Sequence, residues 1–272
     1  MKYLKPISLI VFILCAAVLM YVIITYETKV EYVVSGETII SCKTNAKHPV
    51  IPASIDNKAV ASIGNRAFCD NSSMITVKLD DGIIELQDES FYNCSALREV
   101  FIPKSVTYIS PTAFSECPEF AKIEVDQGNR IYKSFNGVLF KDGMSEIVYF
   151  PVSFMRTEYY IAHGTRIIGE KAFYKSPLYT VHIPDTVTYI QDYAFAESSD
   201  MKSVTLPANL IYLGENVFLG NGKLRTITIG AGVEIKPNSV DGISFYEQYQ
   251  LYGAGTYLKT GNNIWEYIHD KD

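Results

Sequence analysis

Hydrolytic chemistry needs an imidazole, a carboxylate and a nucleophile within hydrogen-bond reach, and the scarcest of these here are four histidines, His48, His163, His182 and His269. They stand at unrelated phases of the sequence, none beside a G-x-S-x-G elbow or a cysteine nucleophile phrase. The carboxylates Glu85, Asp88, Glu89, Glu99, Glu116 and Glu124 recur, but at spacings that a repeating surface gives to any water-facing position. Five cysteines are present, with no C-x-x-C pair and no histidine at zinc-finger spacing, so a structural zinc site is not expected. Phosphate loops, dinucleotide fingerprints and calcium-loop spacings are absent from the sequence as well. The expectation is a non-catalytic protein with no cofactor and no metal, whose polar side chains act by contact.

Which side chains make contact depends on the elements that hold them, and these are set by a repeat. Ile63-Gly64-Asn65-Arg66-Ala67-Phe68 returns at 86–91, 109–114, 168–173, 190–195 and 213–218, with the phenylalanines 23, 23, 59, 22 and 23 residues apart. A degenerate copy runs to Val240. After each Phe comes an apolar triplet such as Met74-Val77-Leu79, Leu97-Val100-Ile102 or Leu224-Ile227-Ile229. The last two members of each triplet are two residues apart, which makes a strand with one buried face. A unit of about 23 residues with L-x-x-L-x-L spacing reads as a leucine-rich repeat, each coil adding one strand to a parallel sheet that no coil can bury alone.

The fold class expected is therefore a mainly β leucine-rich-repeat solenoid, with a parallel sheet and short helical turns. Each Phe should enter the interior from the convex side. The outward sheet face carries two columns, Thr76, Glu99, Lys122, Thr180, Ser203, Thr226 and Lys78, Phe101, Glu124, His182, Thr205, Thr228. Charge dominates the first half and hydroxyl groups the second, and this face is the candidate binding surface. Cys94 and Cys117 share one repeat position with Asn71, Ser176, Ser198 and Asn221, where a small polar side chain would bond turn backbone. A Cys94–Cys117 disulfide is the alternative there, and the redox state of Cys42 and Cys69 is left open.

The phrase Pro-x-x-Val-Thr-Tyr-Ile-x-x-x-Ala-Phe-x-x-Cys-x-x-Leu-x-x-Ile-x-Ile resembles the repeat of the BspA-like leucine-rich repeat surface proteins. The resemblance covers nearly all of residues 33–240, and it implies recognition of a protein or surface glycan, as in adhesion. Gln87, Ser110, Gln191 and Lys236 depart from it by replacing the Gly after the Ile. The segment from Asn129 to Phe140 is similar to the hairpin-bearing long repeat of that family, and Asn136-Gly137 and Asp142-Gly143 are turn dipeptides between β-formers. The extra residues of the 59-residue gap thus read as one or two hairpins.

At the N-terminus residues 7–26 are almost wholly apolar and uncharged, long enough at ~1.5 Å per residue to cross a bilayer. Lys2 and Lys5 precede them, which predicts a cytoplasmic N-terminus at 1–6, a transmembrane signal-anchor helix at 7–26 and an extracytoplasmic remainder. Cleavage of that segment would instead give a secreted chain. A linker with capping strands follows at 27–50, then the solenoid at 51–240 with its hairpin insertion at about 126–160, and a C-terminal cap at 241–272. The cap, rich in aromatics after Phe245, is expected to form short strands over the end of the sheet. Tyr257, Trp265 and Tyr267 form an alternative carbohydrate flap. The net charge of −6 and pI near 5.3 oppose a nucleic-acid partner. Tyrosine is abundant at 20 of 272 residues, and Tyr108, Tyr189 and Tyr212 share a repeat position, which suggests a packing role. The rival to a binding function is a structural or self-assembling envelope scaffold with no external ligand.

Overall fold

A computed structural model describes residues 30–154, 156–261 and 263–269. The segments at 1–6 and 7–26 lie outside the described residues, among which no helix is long and apolar enough to cross a membrane.

Two strands per coil build the solenoid. Short strands such as Ser62–Ile63, Glu85–Leu86 and Tyr108–Ile109 stack in parallel on one side, and longer ones, Thr76–Leu79, Glu99–Ile102 and Lys122–Val125, stack in parallel on another. The register follows the apolar triplets, with Val77 and Ile123 both beside Val100, and Ile190 between Ile168 and Leu213. Alternation along each longer strand turns Val77 and Leu79 inward and leaves Lys78 exposed.

The third side is a ridge of turns carrying the phenylalanines. Phe68, Phe91, Phe114, Phe173, Phe195 and Phe218 are buried at 0–1% exposure. Their rings stack from coil to coil, at 5.0 Å for Phe68–Phe91 and 5.6 Å for Phe195–Phe218. The turns are not helical. Except at Thr112, the residues two before and two after these phenylalanines take left-handed backbone angles, as at Tyr193 and Glu197 with φ of 57° and 59°. A left-handed residue costs about 1–2 kcal/mol. The alternation points N–H and C=O groups along the solenoid axis, so Asn93 donates to the Ser115 carbonyl at 3.0 Å and Phe91 to Ala113 at 2.8 Å. Satisfying those otherwise buried groups offsets the cost. The small polar position bonds the same ridge, with Cys94 Sγ donating to the Phe68 carbonyl at 3.1 Å, Cys117 Sγ to Phe91 at 3.0 Å and Ser198 Oγ to Phe173 at 2.8 Å. Cys42, Cys69, Cys94 and Cys117 are all thiols in the structure.

The long gap holds a coil as well as a hairpin. Strands Tyr132–Phe135, Val138–Lys141 and Glu146–Tyr149 run antiparallel, and the last then pairs in parallel with Ile167–Ile168. Phe150 follows, its ring 4.8 Å from Phe173 and its N–H on the Ala172 carbonyl. It is the ridge residue of a fourth coil, 23 residues before Phe173, and Glu158–Tyr160 is that coil's outward strand. Ile147 precedes Phe150 by three residues where Ile168 precedes Phe173 by five, so a shortened turn hides the repeat phrase.

Hairpin strands Val30–Ser35 and Thr38–Thr44 close the N-terminal end, Ile39 pairing with Ile63. At the other end the expected all-strand cap contains a helix, Phe245–Tyr252, followed by Gly255–Lys259 and Trp265–Tyr267, both antiparallel additions to the outward sheet. Phe245 and Tyr249 lie one helical turn apart and both are buried, which is why this stretch coils instead of extending. Tyr257 and Trp265 are 0% exposed and fill the cap interior, which takes both rings out of the alternative carbohydrate flap. The packing role expected for the shared tyrosine position is also corrected, since Tyr108 and Tyr189 are exposed on the short-strand face.

The glycine of the phrase has a spatial cause in the three coils that carry it, at Gly64, Gly169 and Gly214. A Cβ on Gly169 would lie 2.7 Å from the Ile147 carbonyl oxygen, to which the Gly169 N–H is bonded. Gly169→Ala is expected to destabilise the protein by about 1–3 kcal/mol, through forced separation of the coils. Lys236→Ala, at the same position in the last coil, should stay within about ±0.5 kcal/mol. Thermal melts of the two variants check the contrast.

Candidate functional site

All twelve residues of the two sequence-predicted columns stand on the outward sheet, in two blocks. In the first, Glu99 lies between Thr76 and Lys122, and Phe101 between Lys78 and Glu124. Lys122 Nζ sits 3.1 Å from Glu99 and 2.5 Å from Glu124, and these carboxylates hold its ammonium above the ordinary lysine value. Phe101 remains exposed at 41% amid these charges. The block extends to His48, whose Nδ1 is 2.9 Å from Thr76 Oγ1.

The hairpin tip separates the blocks. Ile123 donates to the Gly137 carbonyl at 3.0 Å and Val125 to Ser134 Oγ at 3.1 Å, so the Asn136–Gly137 turn takes the place of a neighbouring sheet strand. The tip exposes Phe135 and helps line a groove of about 500 Å³ beside Lys122 and Glu124. The change from charged to hydroxyl columns coincides with this interruption.

In the second block Glu158 pairs with Thr180 and Tyr160 with His182, while Ser203 and Thr205 pair with Thr226 and Thr228. Sequence reasoning missed Glu158 and Tyr160 because the fourth coil lacks the repeat phrase; its one signal is the 23-residue spacing from Phe150 to Phe173. With His182 they form a second polar cluster on the face. His182 Nε2 is 2.6 Å from Glu158 Oε1, the Tyr160 hydroxyl donates to the same oxygen at 3.2 Å, and the two rings stack at 4.0 Å and 8°. The hydrogen bond from His182 draws the Glu158 carboxyl below its usual value, and Glu158 in turn raises the Tyr160 phenol. The remainder of the block presents hydroxyls, with Thr228 Oγ1 3.0 Å from Thr256 Oγ1.

Among the described residues no cluster of three or more His, Cys, Asp or Glu could hold a metal ion. The His182–Glu158 pair has two members of a hydrolytic triad, and no Ser, Thr or Cys is hydrogen-bonded to that histidine among the described residues. The remaining histidines lie apart from it: His163 lines a groove with Asp142 and Arg166, and His269 packs on Tyr252 and Tyr267. What the face offers is a row of aromatic, charged and hydroxyl groups on a rigid sheet.

Fold and face together define a leucine-rich-repeat solenoid of parallel coils. Six copies of the BspA type leucine rich repeat region match residues 40–161 and 166–253, and the chain belongs to that family. No curated protein matches it in sequence. Among solved structures it is similar to a leucine-rich repeat protein from Eubacterium ventriosum, at 20% identity and a TM-score of 0.55. That match covers 70% of this chain and 61% of the other, so the chain spans less than two thirds of that protein's length. A leucine rich cell surface protein from Faecalibacterium prausnitzii is similar at 18% identity over 80% of this chain and 85% of that one, with a TM-score of 0.47.

Proposed function

We propose that the chain is a membrane-anchored, outward-facing, non-catalytic protein that recognises a protein at another surface, in the manner of an adhesin, through its outward sheet face. The anchor is residues 7–26, preceded by Lys2 and Lys5. The observation that carries the binding role is the Glu158–Tyr160–His182 cluster, which sets a stacked aromatic pair and a charged hydrogen bond at the middle of an exposed, rigid surface. Tyrosine is enriched among residues that dominate interfaces, since it contributes a large apolar face at little cost in lost rotamers.

The test displays the full chain in its native membrane and measures binding to matrix proteins and partner cells. Tyr160→Ala, His182→Ala and Lys122→Glu are each expected to weaken the bound partner at least tenfold, about 1.4 kcal/mol. Binding unchanged by all three would remove the face from the account. Self-association in the absence of any bound partner would give the scaffold reading instead.

A further inference from the structure

On the ridge side, away from the outward face, the regular pattern is interrupted inside the array at the fourth coil. In four coils the residue two after the Phe donates to the carbonyl one after the next coil's Phe: Asp70 to Tyr92, Asn93 to Ser115, Lys175 to Ala196 and Glu197 to Leu219. The corresponding bonds through the fourth coil would run from Glu116 to Pro151 and from Val152 to Tyr174, and neither is made. The shortened fourth turn leads elsewhere, Ser153 donating to the Phe120 carbonyl. A cleft opens at this break, in two lobes of about 440 and 410 Å³ that share Ser115, Glu116, Lys171 and Tyr174. Lobes of that size fall in the ~300–1,000 Å³ range of small-ligand sites.

Charge selects what fits. Lys175 pairs with Glu116 across the cleft and Arg66 with Glu89 at its far end, while Lys171 lies 3.9 Å from Glu170 and 5.7 Å over the Tyr193 ring. These ions are already compensated, so a strongly charged ligand would have to break pairs to enter. Both lobes also carry half-buried rings, Tyr174 in each, with Lys175 Nζ 5.5 Å from its centroid, and Tyr92 and Tyr193 in the second, while the broken ladder leaves the Glu116 and Val152 N–H groups and the Tyr174 carbonyl without a backbone partner among the described residues. A ligand that both donates and accepts, and that offers a flat C–H face to a ring, satisfies all of these groups, and a sugar does so because every hydroxyl plays both roles.

We infer that the cleft between the third and fifth coils is a binding site for a short, uncharged oligosaccharide, with Tyr174 as the stacking platform and Glu116 and Lys175 as hydroxyl partners. It is independent of the outward face. Calorimetry on the full chain, in a detergent lacking a sugar headgroup, tests it with maltotriose, cellotriose and triacetylchitotriose as probes and with sialyllactose and a basic peptide as charged comparisons. At least one neutral trisaccharide should bind at millimolar concentration or tighter. Tyr174→Ala and Glu116→Gln should each weaken it tenfold or more, and Thr228→Ala on the outward face should leave it unchanged. Where Tyr174→Ala does not fold, Tyr174→Leu keeps the bulk without the flat face and should show the same loss. Absence of binding by every neutral probe, binding of a charged probe only, or full retention in the folded Tyr174 variant would overturn the assignment.

Discussion

Phe195→Ala is expected to lower the unfolding free energy by about 3–5 kcal/mol, a large share of the stability of a protein this size. The ring is fully buried and stacked on both sides, 5.0 Å from Phe173 and 5.6 Å from Phe218, nearly parallel to each. Its backbone N–H and that of Glu197 are committed to the next coil, on the Val217 and Leu219 carbonyls, so the ridge cannot sink to fill the space. The cavity therefore persists, and the loss includes both transfer and missing contacts. Phe195→Leu, which keeps most of the volume, should cost less than about 1.5 kcal/mol. Urea denaturation measures both. A loss under about 1 kcal/mol for the alanine variant would mean that the ladder packs without holding the coils. In a solenoid each coil touches only its neighbours, so amide exchange should rise in the fifth to seventh coils and stay unchanged around Phe68 and Phe91.

The same ladder shows why so much of the fold was legible in the sequence and where legibility ended. A coil is defined by about six apolar positions, and because every coil repeats them, six imperfect copies outvote the departures at Gln87, Ser110, Gln191 and Lys236. Those departures are tolerated wherever a side chain can point past the preceding coil, whereas Gly169 and Gly214 face backbone atoms at 2.7 Å. Phe150 was hidden because its turn is two residues shorter, which removed the phrase while leaving the ring in register with Phe173. Two columns of six were consequently read where seven coils contribute, and the omitted pair, Glu158 and Tyr160, joins His182 in a hydrogen-bonded group on the face. The ridge cleft was illegible for a related reason: it is made by bonds that are missing, and a periodic pattern reports only what recurs.

The cap was misread because its period changes. The coils alternate with period two, but Phe245 and Tyr249 are four apart, and only the burial of both against Tyr257 and Trp265 reveals a helix. A cap, like the hairpin at the other end, has no neighbour beyond it, and this one brings its own core.

That requirement makes Trp265 the second site of large effect. Its ring is fully buried, 5.5 Å from Phe245 and edge-on to it, and its Nε1 donates to the Asp241 carbonyl at 2.9 Å. Lys259 Nζ lies 5.6 Å over the same ring, and burial draws that ammonium's pKa down from the ordinary lysine value. Trp265→Ala should cost about 3–5 kcal/mol in local stability, removing the ring, the cation's partner and the carbonyl's donor together. Trp265→Phe retains the apolar body and leaves the Asp241 carbonyl without its donor, for a loss of about 1–3 kcal/mol. Since the strand Trp265–Tyr267 joins the sheet through Gly255–Lys259 to Thr226–Ile229, and its other backbone bond runs to Ile243 within the cap, the damage should stay at that end. Hydrogen exchange should accelerate at 226–229 and 255–259 before any change appears in the first three coils. With the cap loosened, the strand Thr226–Ile229 becomes an open sheet edge, so the alanine variant should also aggregate with concentration where the parent chain does not. If light scattering shows no such association and exchange rises evenly through all the coils, Trp265 stabilises the whole array and is not an end-plug, and the cap would then have to be treated as one more coil of the solenoid.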